Sequence, residues 1–394
     1  MRKMRDMRNI PRRIRSIVAA AITLFCSLTF LERSSAQAPI DLVIDADPGV
    51  DDAAALVWLL YQTNYPINVR GIGTVLGNTT ALNGANNVLA VLDALGRRDI
   101  PVAVGASEPV SQPLDLGPWL GLRTPALLHG PDGLWQIGAY HRHRMSDFDR
   151  RDAPTLYRDL ANAHPGATLL ALGPLTNLAH AFSRYPDAMR LYGRIVIGAG
   201  AKYGGNRTPS AEYSLWQDPE AAHQVLSAQL GPPIIMLPLD TFQQFSMTLD
   251  ELRPLCERGR AGLRLICPAL EAFIASQLTE LVGRNRAWIP DVATAIYAMD
   301  SSLGSTRSGL IKVITGNGMM RGHTEIALTV LERATLIGVD SELNWLTELA
   351  LLDPGNFPAR LVALLSREPD NASIVVDIDE QAMHNLFQQA VTAN

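Results

Sequence analysis

The stretch that decides the fold is VIDADPGVDD, at residues 43–52. Its first two residues end an apolar run, and the apolar segment AAALVWLL follows at residues 53–60. The first run is typical of a buried strand and the second of a helix. Four carboxylates therefore lie on a strand-to-helix loop at the carboxyl edge of a predicted parallel sheet, where open α/β folds bind their ligands.

These four acids, Asp45, Asp47, Asp51 and Asp52, fall within eight residues. Carboxylates this close cannot all stay ionised in a partly buried cleft unless a cation neutralises them. Because Ca²⁺ and Mg²⁺ take oxygen ligands, the cluster predicts a divalent cation site. The alternative is that Asp51 and Asp52 only occupy the first turn of a helix, where acids favour the dipole. That alternative accounts for two of the four acids.

The rest of the chain repeats the order of strand and helix. Further apolar runs are predicted as strands and lie at residues 69–75, 100–105, 168–172, 194–198, 234–239, 310–315, 326–331 and 373–379. Helical patterns separate most of them, including a long one over residues 248–285. This alternation predicts an α/β fold with an open, mostly parallel, doubly wound sheet flanked by helices.

The pattern Asp-x-Asp-Pro-Gly-x-Asp-Asp, matched from Asp45 to Asp52, resembles the hallmark of the nucleoside hydrolase family, the inosine-uridine preferring nucleoside hydrolases and their relatives. Other segments resemble further family motifs: TVLGN at residues 74–78, HGPDG at 129–133, GPLTN at 173–177 and SIVVDID at 373–379. The resemblance runs from about residue 41 to 391. It implies the nucleoside hydrolase fold in a single domain, residues 39–394.

The resemblance implies a role for each matched residue. Calcium is held by the carboxylates of Asp47, Asp52 and Asp291 and by the main-chain carbonyl of Leu172. It binds the 2′- and 3′-hydroxyls of a ribose and one water. Asp51 acts as the general base that takes a proton from this water. An oxygen set of this kind suits calcium, which accepts carbonyl as well as carboxylate ligands.

Four further residues receive supporting roles from the resemblance. Asn78, Asn206 and Glu212 are expected to bind the sugar, and Asp45 to orient the acid cluster from behind. Asn78 also precedes a predicted helix, and Asp291 begins another. Helix capping therefore remains an alternative for both, since Asn and Asp are favoured caps.

The chain departs from the family pattern at two positions. Ser214 stands where members have a second sugar-binding Asn, and it offers one hydroxyl in place of an amide. Pro290 stands where many members have a His that protonates the departing base, and proline cannot transfer a proton. The resemblance offers another device, since other members of the family, which prefer purine nucleosides, activate the base by aromatic stacking together with protonation from solvent. The candidates for it are Trp119, Trp135 and Trp288.

Residues 1–38 are predicted to be a secretory signal peptide, because a basic segment precedes an apolar run at residues 17–30 and Ala-Gln-Ala stands at 36–38. An uncleaved membrane anchor is the alternative, although the apolar run is short for a membrane span, which needs about 20 residues. Arg12-Arg13 leaves twin-arginine export open beside the general secretory route. We therefore expect an exported protein, periplasmic or secreted, with no membrane attachment after cleavage.

Two cysteines, Cys256 and Cys267, remain after the signal peptide. On one continuous helix they would lie about 16 Å apart, too far to bridge. Pro254, Gly259 and Gly262 favour a break in such a helix, and export favours pairing, so the sequence leaves a disulfide open.

Three functional hypotheses follow. The first is calcium-dependent hydrolysis of the N-glycosidic bond of ribonucleosides, giving ribose and free base for purine and pyrimidine salvage. The second is an exported, non-catalytic or altered-specificity relative that binds a ribosyl group. The third is a haloacid-dehalogenase-like phosphotransfer enzyme, which also carries Asp-x-Asp but usually continues with Gly where Pro48 stands.

The chain is acidic, with a net charge of −5. Removal of the basic leader makes this charge more negative, which argues against nucleic-acid partners. The resemblance also implies a homo-oligomer, dimer or tetramer.

Overall fold

A nine-stranded sheet forms the centre of the structure. The computed structural model describes residues 38–111, 123–137, 143–228, 231–279, 285–350 and 353–392. The predicted signal peptide lies outside these residues, except for Ala38. The strands of this sheet are β1 (Ile40–Ala46), β2 (Ile67–Thr74), β3 (Val102–Val104), β4 (Thr168–Ala171), β5 (Arg194–Gly198), β6 (Ile234–Leu237), β9 (Gly304–Val313), β10 (Thr324–Ala327) and β11 (Ala372–Ile378). A separate two-stranded sheet contains β7 (Ser246–Met247) and β8 (Ala287–Trp288).

The order of strands across the large sheet is β10-β9-β11-β6-β5-β4-β1-β2-β3. All neighbouring pairs are parallel except the two that β9 makes with β10 and β11. The chain moves outward from β1 through β2 to β3, then returns to place β4 on the other side of β1. This reversal is a topological switch point, and ligands bind outside the carboxyl ends of the strands at such a point. The predicted open, mostly parallel sheet is confirmed.

Each central strand is buried on both faces. In β1, Leu42 and Ile44 belong to one hydrophobic cluster, while Val43 between them belongs to the other. In β4, Leu169 and Leu170 divide in the same way. Successive side chains of a strand point to opposite faces, so a continuous apolar run is what a strand between two layers of helices requires.

Helices cover both faces of the sheet. In chain order they are α1 (Val50–Tyr61), α2 (Ala81–Leu95), α3 (Arg123–His129), α4 (Ala153–Ala163), α5 (Thr176–Arg184), α6 (Pro186–Met189), α7 (Tyr213–Gln217), α8 (Pro219–Ser227), α9 (Leu239–Phe242), α10 (Leu249–Glu257), α11 (Ala261–Gln277), α12 (Pro290–Met299), α13 (Val330–Leu336), α14 (Asp340–Ala350), α15 (Phe357–Leu365) and α16 (Glu380–Val391). Side chains of α1, α2, α11, α12 and α16 pack on one face, and those of α4, α5 and α8 on the other. Among the described residues, no helix is both long and apolar enough to span a bilayer.

The late part of the chain departs from the sequence-based prediction. The strand predicted at residues 326–331 ends at Ala327, and helix α13 begins at Val330. Thr329 and Glu332 form a capping box at this point, which starts a helix where hydrophobicity alone favoured a strand. The last strand, β11, also lies inside the sheet between β6 and β9, a position that its sequence does not reveal.

The helical pattern predicted over residues 248–285 corresponds to two separate helices, which a disulfide joins. Helix α10 ends at Glu257 and α11 begins at Ala261, so the break predicted near Gly259 is present. The break brings the Cα atoms of Cys256 and Cys267 to 5.9 Å, and the two sulfurs are bonded. The question that the sequence left open is thereby answered in favour of a disulfide.

We predict that this disulfide stabilises the pairing of α10 with α11. Replacing both cysteines by serine is expected to lower the free energy of unfolding by about 2–3 kcal/mol, since a cross-link closing a loop of this length restricts the unfolded chain by that amount. Urea unfolding of the wild type with and without reductant measures it. Reductant should leave the double serine variant unchanged. Equal stability of oxidised and reduced wild type would contradict the prediction.

Candidate functional site

The acid-rich stretch spans the junction of β1 and α1. Asp45 lies in β1, Asp47 just after it, and Asp51 and Asp52 in the first turn of α1. The backbone N–H of Gly49, at the N-cap of α1, donates to Oδ2 of Asp52 at 2.9 Å. All four carboxylates are buried. The first turn of α1 favours anions because its backbone N–H groups lack helical partners.

A fifth carboxylate joins this group from the far end of the sequence. Asp291 is the second residue of α12, which packs against α1. Oxygens of Asp51, Asp52 and Asp291 all lie within 4.8 Å of one another. The N-cap of α12 is Ile289, and no side chain of the described residues caps this helix. The capping alternative for Asp291 is therefore wrong.

Asp47 is held between two neighbouring loops of the sheet edge. Its Oδ2 accepts a hydrogen bond of 2.8 Å from the backbone N–H of Asn78, which follows β2. A Cβ atom on Gly77 or on Gly173 would collide with the Asp47 carboxylate, so glycine is required at both positions. Gly173 directly follows Leu172, which comes just after β4 and lines the cleft. Asp47 therefore lies at the switch point between β1 and β4.

Burial and mutual repulsion raise the pKa values of the cluster. Burial, with repulsion from Asp52, raises the pKa of Asp51 to about 8. Burial raises the pKa of Asp52 to about 6. The pKa values of Asp47 and Asp291 also rise well above the usual range, chiefly through burial and then through the neighbouring carboxylates.

Two oxygens of the cluster, Oδ1 of Asp51 and Oδ1 of Asp52, are buried and have no hydrogen-bond partner among the described residues. Buried polar atoms normally have partners, so such oxygens call for a ligand. Hard divalent cations bind carboxylate oxygens in groups of this kind. The residues present therefore fit a divalent cation.

Asp45 lies behind the cluster. Its Oδ1 accepts hydrogen bonds from the hydroxyl of Tyr157 and, at 2.7 Å, from Nδ2 of Asn177. Burial raises the pKa of Asp45 to about 7. Tyr157 comes from α4, on the opposite face of the sheet from α1, and sequence reasoning gave it no role. A short-range pattern cannot reveal a partner more than a hundred residues away.

Asn78 belongs to the acid cluster and caps no helix. Its side-chain amide donates to Oδ2 of Asp52 at 3.2 Å. The cap of α2 is Thr80, whose hydroxyl accepts from the backbone N–H of Asn83. The capping alternative for Asn78 is therefore wrong, and the residue lines the same cleft as Asp47 and Asp51.

The loop after β5 brings Asn206 and Glu212 to the other side of this cleft. Glu212 is buried and caps α7, accepting from the backbone N–H of Ser214 at 2.8 Å and of Gly200 at 2.9 Å. Asn206 accepts from the backbone N–H of Tyr213 at 2.8 Å. The Tyr213 hydroxyl donates to the carbonyl of Gly77. Sequence reasoning missed Tyr213, which connects the two sides of the cleft.

An apolar wall completes the cleft. It contains Pro125, Leu128, Phe242, Phe273 and Trp288. Of the three tryptophans proposed from the sequence, Trp288 lines the cleft. Trp135 is not among the lining residues and donates its Nε1–H to the carbonyl of Leu128, while Trp119 lies outside the described residues. The arrangement places an aromatic surface and an acid cluster in one cleft.

His129, from the HGPDG motif, also lines the cleft. Its Nδ1 accepts a hydrogen bond of 3.1 Å from the backbone N–H of Val50 and lies 3.7 Å from Oδ1 of Asp51. Burial lowers the pKa of His129 to about 3, so the ring is neutral at pH 7. Because Nδ1 accepts, the ring proton lies on Nε2.

Proteins of similar sequence identify the family to which this site belongs. The family model described as "Inosine-uridine preferring nucleoside hydrolase" matches residues 42–385. Probable uridine nucleosidase 2 of Arabidopsis thaliana is 32% identical over 287 residues, which are 72% of this chain and 84% of that protein. The pyrimidine-specific ribonucleoside hydrolase RihA of Citrobacter koseri is 28% identical over 89% of this chain and 97% of its own length.

Solved structures show the same fold. A plant nucleoside hydrolase, the PpNRh1 enzyme, is 26% identical with a TM-score of 0.74, over 90% of this chain and all of that one. An inosine-guanosine nucleoside hydrolase shares the fold at 22% identity, with a TM-score of 0.69, over 90% of this chain and 99% of its own. The match along the sequence excludes the haloacid-dehalogenase-like alternative. The chain belongs to the inosine-uridine preferring nucleoside hydrolase family and is a nucleoside hydrolase.

Proposed function

We propose that the protein hydrolyses the N-glycosidic bond of ribonucleosides in a calcium-dependent reaction, giving ribose and the free base. The observation that carries this proposal is the convergence of oxygens of Asp51, Asp52 and Asp291 within 4.8 Å of one another. Two buried oxygens of this group have no hydrogen-bond partner in the part of the chain that the structure describes. Hydrophobic and aromatic side chains line the rest of the same cleft. A ribonucleoside matches this division, because its pentose hydroxyls would lie at the acids and its base at the aromatic wall.

The residues that would hold calcium are Asp47, Asp52, Asp291 and the carbonyl of Leu172. All but Asp52 are among the residues that line the cleft, and an oxygen of Asp52 lies within 4.8 Å of Asp291. When bound, calcium would supply positive charge that neutralises these acids and attracts the vicinal hydroxyls of a ribose. Asp51 belongs to the same close group of oxygens, and we assign it the role of base rather than ligand.

Asp51 is suited to accept a proton from water. Its Oδ1 makes no hydrogen bond with the described residues, and Nδ1 of His129, 3.7 Å away, already accepts from the backbone N–H of Val50. Without metal, burial and Asp52 raise the pKa of Asp51 to about 8, so this carboxyl is largely protonated at pH 7. The positive charge of bound calcium would favour the ionised carboxylate, which is the form that acts as a base. Cleavage of a glycosidic bond passes through an oxocarbenium-like state, and the buried carboxylates stabilise its positive charge.

We predict that Asp51→Ala abolishes hydrolysis while the fold persists. A general base contributes about 10²–10⁴-fold to the rate, so kcat should fall by at least that range for every substrate. The assay measures reducing sugar released from inosine, uridine and p-nitrophenyl riboside. Asp187→Ala, whose side chain is 92% exposed, is the control and should keep wild-type activity.

The same three substrates also distinguish a ribosyl-binding relative from a ribonucleoside hydrolase. A ribosyl-binding relative without turnover would bind calcium and ribose in calorimetry but release no sugar from any of the three substrates. Full activity of Asp51→Ala would overturn the assigned role of this residue, whatever the substrate preference.

Calcium is expected to remove most of the pH dependence of the free energy of unfolding. The unfolded carboxyls titrate near 3.9, whereas the folded pKa values are raised to about 8 for Asp51 and about 6 for Asp52. Without metal, the folded state therefore keeps protons that the unfolded chain has released. The free energy of unfolding should fall as pH rises from about 4 to about 8.

Thermal unfolding between pH 5 and 8, with chelator or with calcium, measures this effect. Calcium at a hundred times its dissociation constant is expected to add about 2.7 kcal/mol at pH 7, and most of the pH dependence should vanish. Asp52→Asn and Asp291→Asn should lose the calcium effect, and Asp187→Asn should keep it. An identical melting temperature with and without calcium would contradict the assignment.

We also propose that the mature chain is exported and acts as a homo-oligomer. The basic and apolar leader and the Cys256–Cys267 disulfide support export, because disulfides persist in oxidising compartments. Fractionation of the native host followed by light scattering tests both statements. A cytoplasmic protein with an intact leader, or a monomer at micromolar concentration, would overturn the corresponding statement.

A further inference from the structure

A buried glutamine, Gln277, clamps the backbone of Trp288. Gln277 is the last residue of α11 and is 1% exposed. Its Nε2 donates to the carbonyl of Trp288 at 3.1 Å, and its Oε1 accepts from the Trp288 backbone N–H at 3.0 Å. One amide thus satisfies both polar backbone groups of a single residue, as a neighbouring strand would.

Trp288 and the helix that carries Gln277 both contribute to the wall of the cleft. Trp288 lines it together with Phe273, and Phe273 comes from the same helix as Gln277. The opposite edge of the short strand β8 pairs with β7, and the N–H of Ile289 donates to the carbonyl of Phe245. The backbone of Trp288 is therefore fixed from two sides.

We propose that Gln277 is a positioning residue, which sets the Trp288 ring as the wall against which the nucleobase binds. This inference rests on the proposed function and adds to it the residues that recognise the base. The physical reason is that losing the amide would remove two hydrogen bonds from the Trp288 backbone beside an apolar wall. Each hydrogen bond contributes about 0.5–1.5 kcal/mol, so the segment would shift when both are lost.

A purely structural role is the alternative, since a buried glutamine with satisfied hydrogen bonds can simply stabilise the fold. The chain contains a matched case. Gln62 makes the same pair of bonds, from Nε2 to the carbonyl of Tyr65 and from the Tyr65 N–H to Oε1, each of 2.9 Å. Gln62 is also buried, but it is not among the residues that line the cleft.

The experiment compares Gln277→Met with Gln62→Met, because methionine has a similar volume and makes neither bond. Inosine and uridine are assayed for kcat and KM, and calorimetry measures the binding of free ribose and free hypoxanthine in calcium. We expect Gln277→Met to raise KM and weaken hypoxanthine binding about tenfold or more, from the loss of two hydrogen bonds. Ribose binding should change less than twofold, and Gln62→Met should change none of these quantities.

Two further variants test whether Gln277 acts through Trp288. Trp288→Ala should raise KM by at least as much as Gln277→Met, and Trp288→Phe should restore most of the loss. Gln277→Met combined with Trp288→Ala should be no worse than Trp288→Ala alone, since non-additivity identifies residues that act together.

Several results would overturn the inference. These are unchanged KM and base binding in Gln277→Met, an equal loss of ribose and base binding, a loss of base binding in Gln62→Met as large as in Gln277→Met, or additive effects with Trp288→Ala. If the wild type released no sugar at all, the proposed function would fail. Hypoxanthine binding in the same variants would still decide the role of Gln277.

Discussion

The structure depends on the burial of five carboxylates in one place. Asp45, Asp47, Asp51, Asp52 and Asp291 are each no more than 6% exposed, and no lysine or arginine is found among the described residues that hydrogen-bond to them. Removing one charge from water is costly, and neighbouring like charges add to that cost. Such a cluster persists only where the surrounding fold is stable enough to hold it and where a ligand repays the cost. The acids are therefore better explained by binding than by stability.

The central sheet supplies the stability that holds these acids, and its topology brings them together at one edge. β1 and β4 are adjacent and parallel, so the residues that follow them leave the sheet at the same edge. The close approach of Gly77 and Gly173 to Asp47 shows how little space the edge allows. Asp291 reaches the cluster because α12 packs on α1, which carries Asp51 and Asp52. Residues about 240 positions apart thus meet through one helix contact.

The sequence predicted the parts of this site that depend on local order. The strand, the loop and the helix around residues 43–60 follow from hydrophobicity and from Pro48 and Gly49, and the family pattern located Asp291 and Asn78. It could not decide between a cap and a ligand at Asn78, because both roles use the same residue type, and only Thr80 at the true cap separates them. Nor could it find Tyr157, Tyr213 or Gln277. Their roles arise from contacts between distant elements, which leave no periodic signal.

The two departures from the family pattern have different consequences in the structure. At Ser214 the backbone N–H still binds Glu212, so the start of α7 keeps its geometry and only the side-chain amide is lost. At Pro290 the ring occupies the first turn of α12, where a missing N–H costs nothing, and Asp291 keeps its place in the cluster. The proline thus preserves the acid end of the cleft while removing a proton donor beside the base. Recognition of the base then falls on the apolar wall, and within that wall Trp288 is the residue whose backbone is held on both sides.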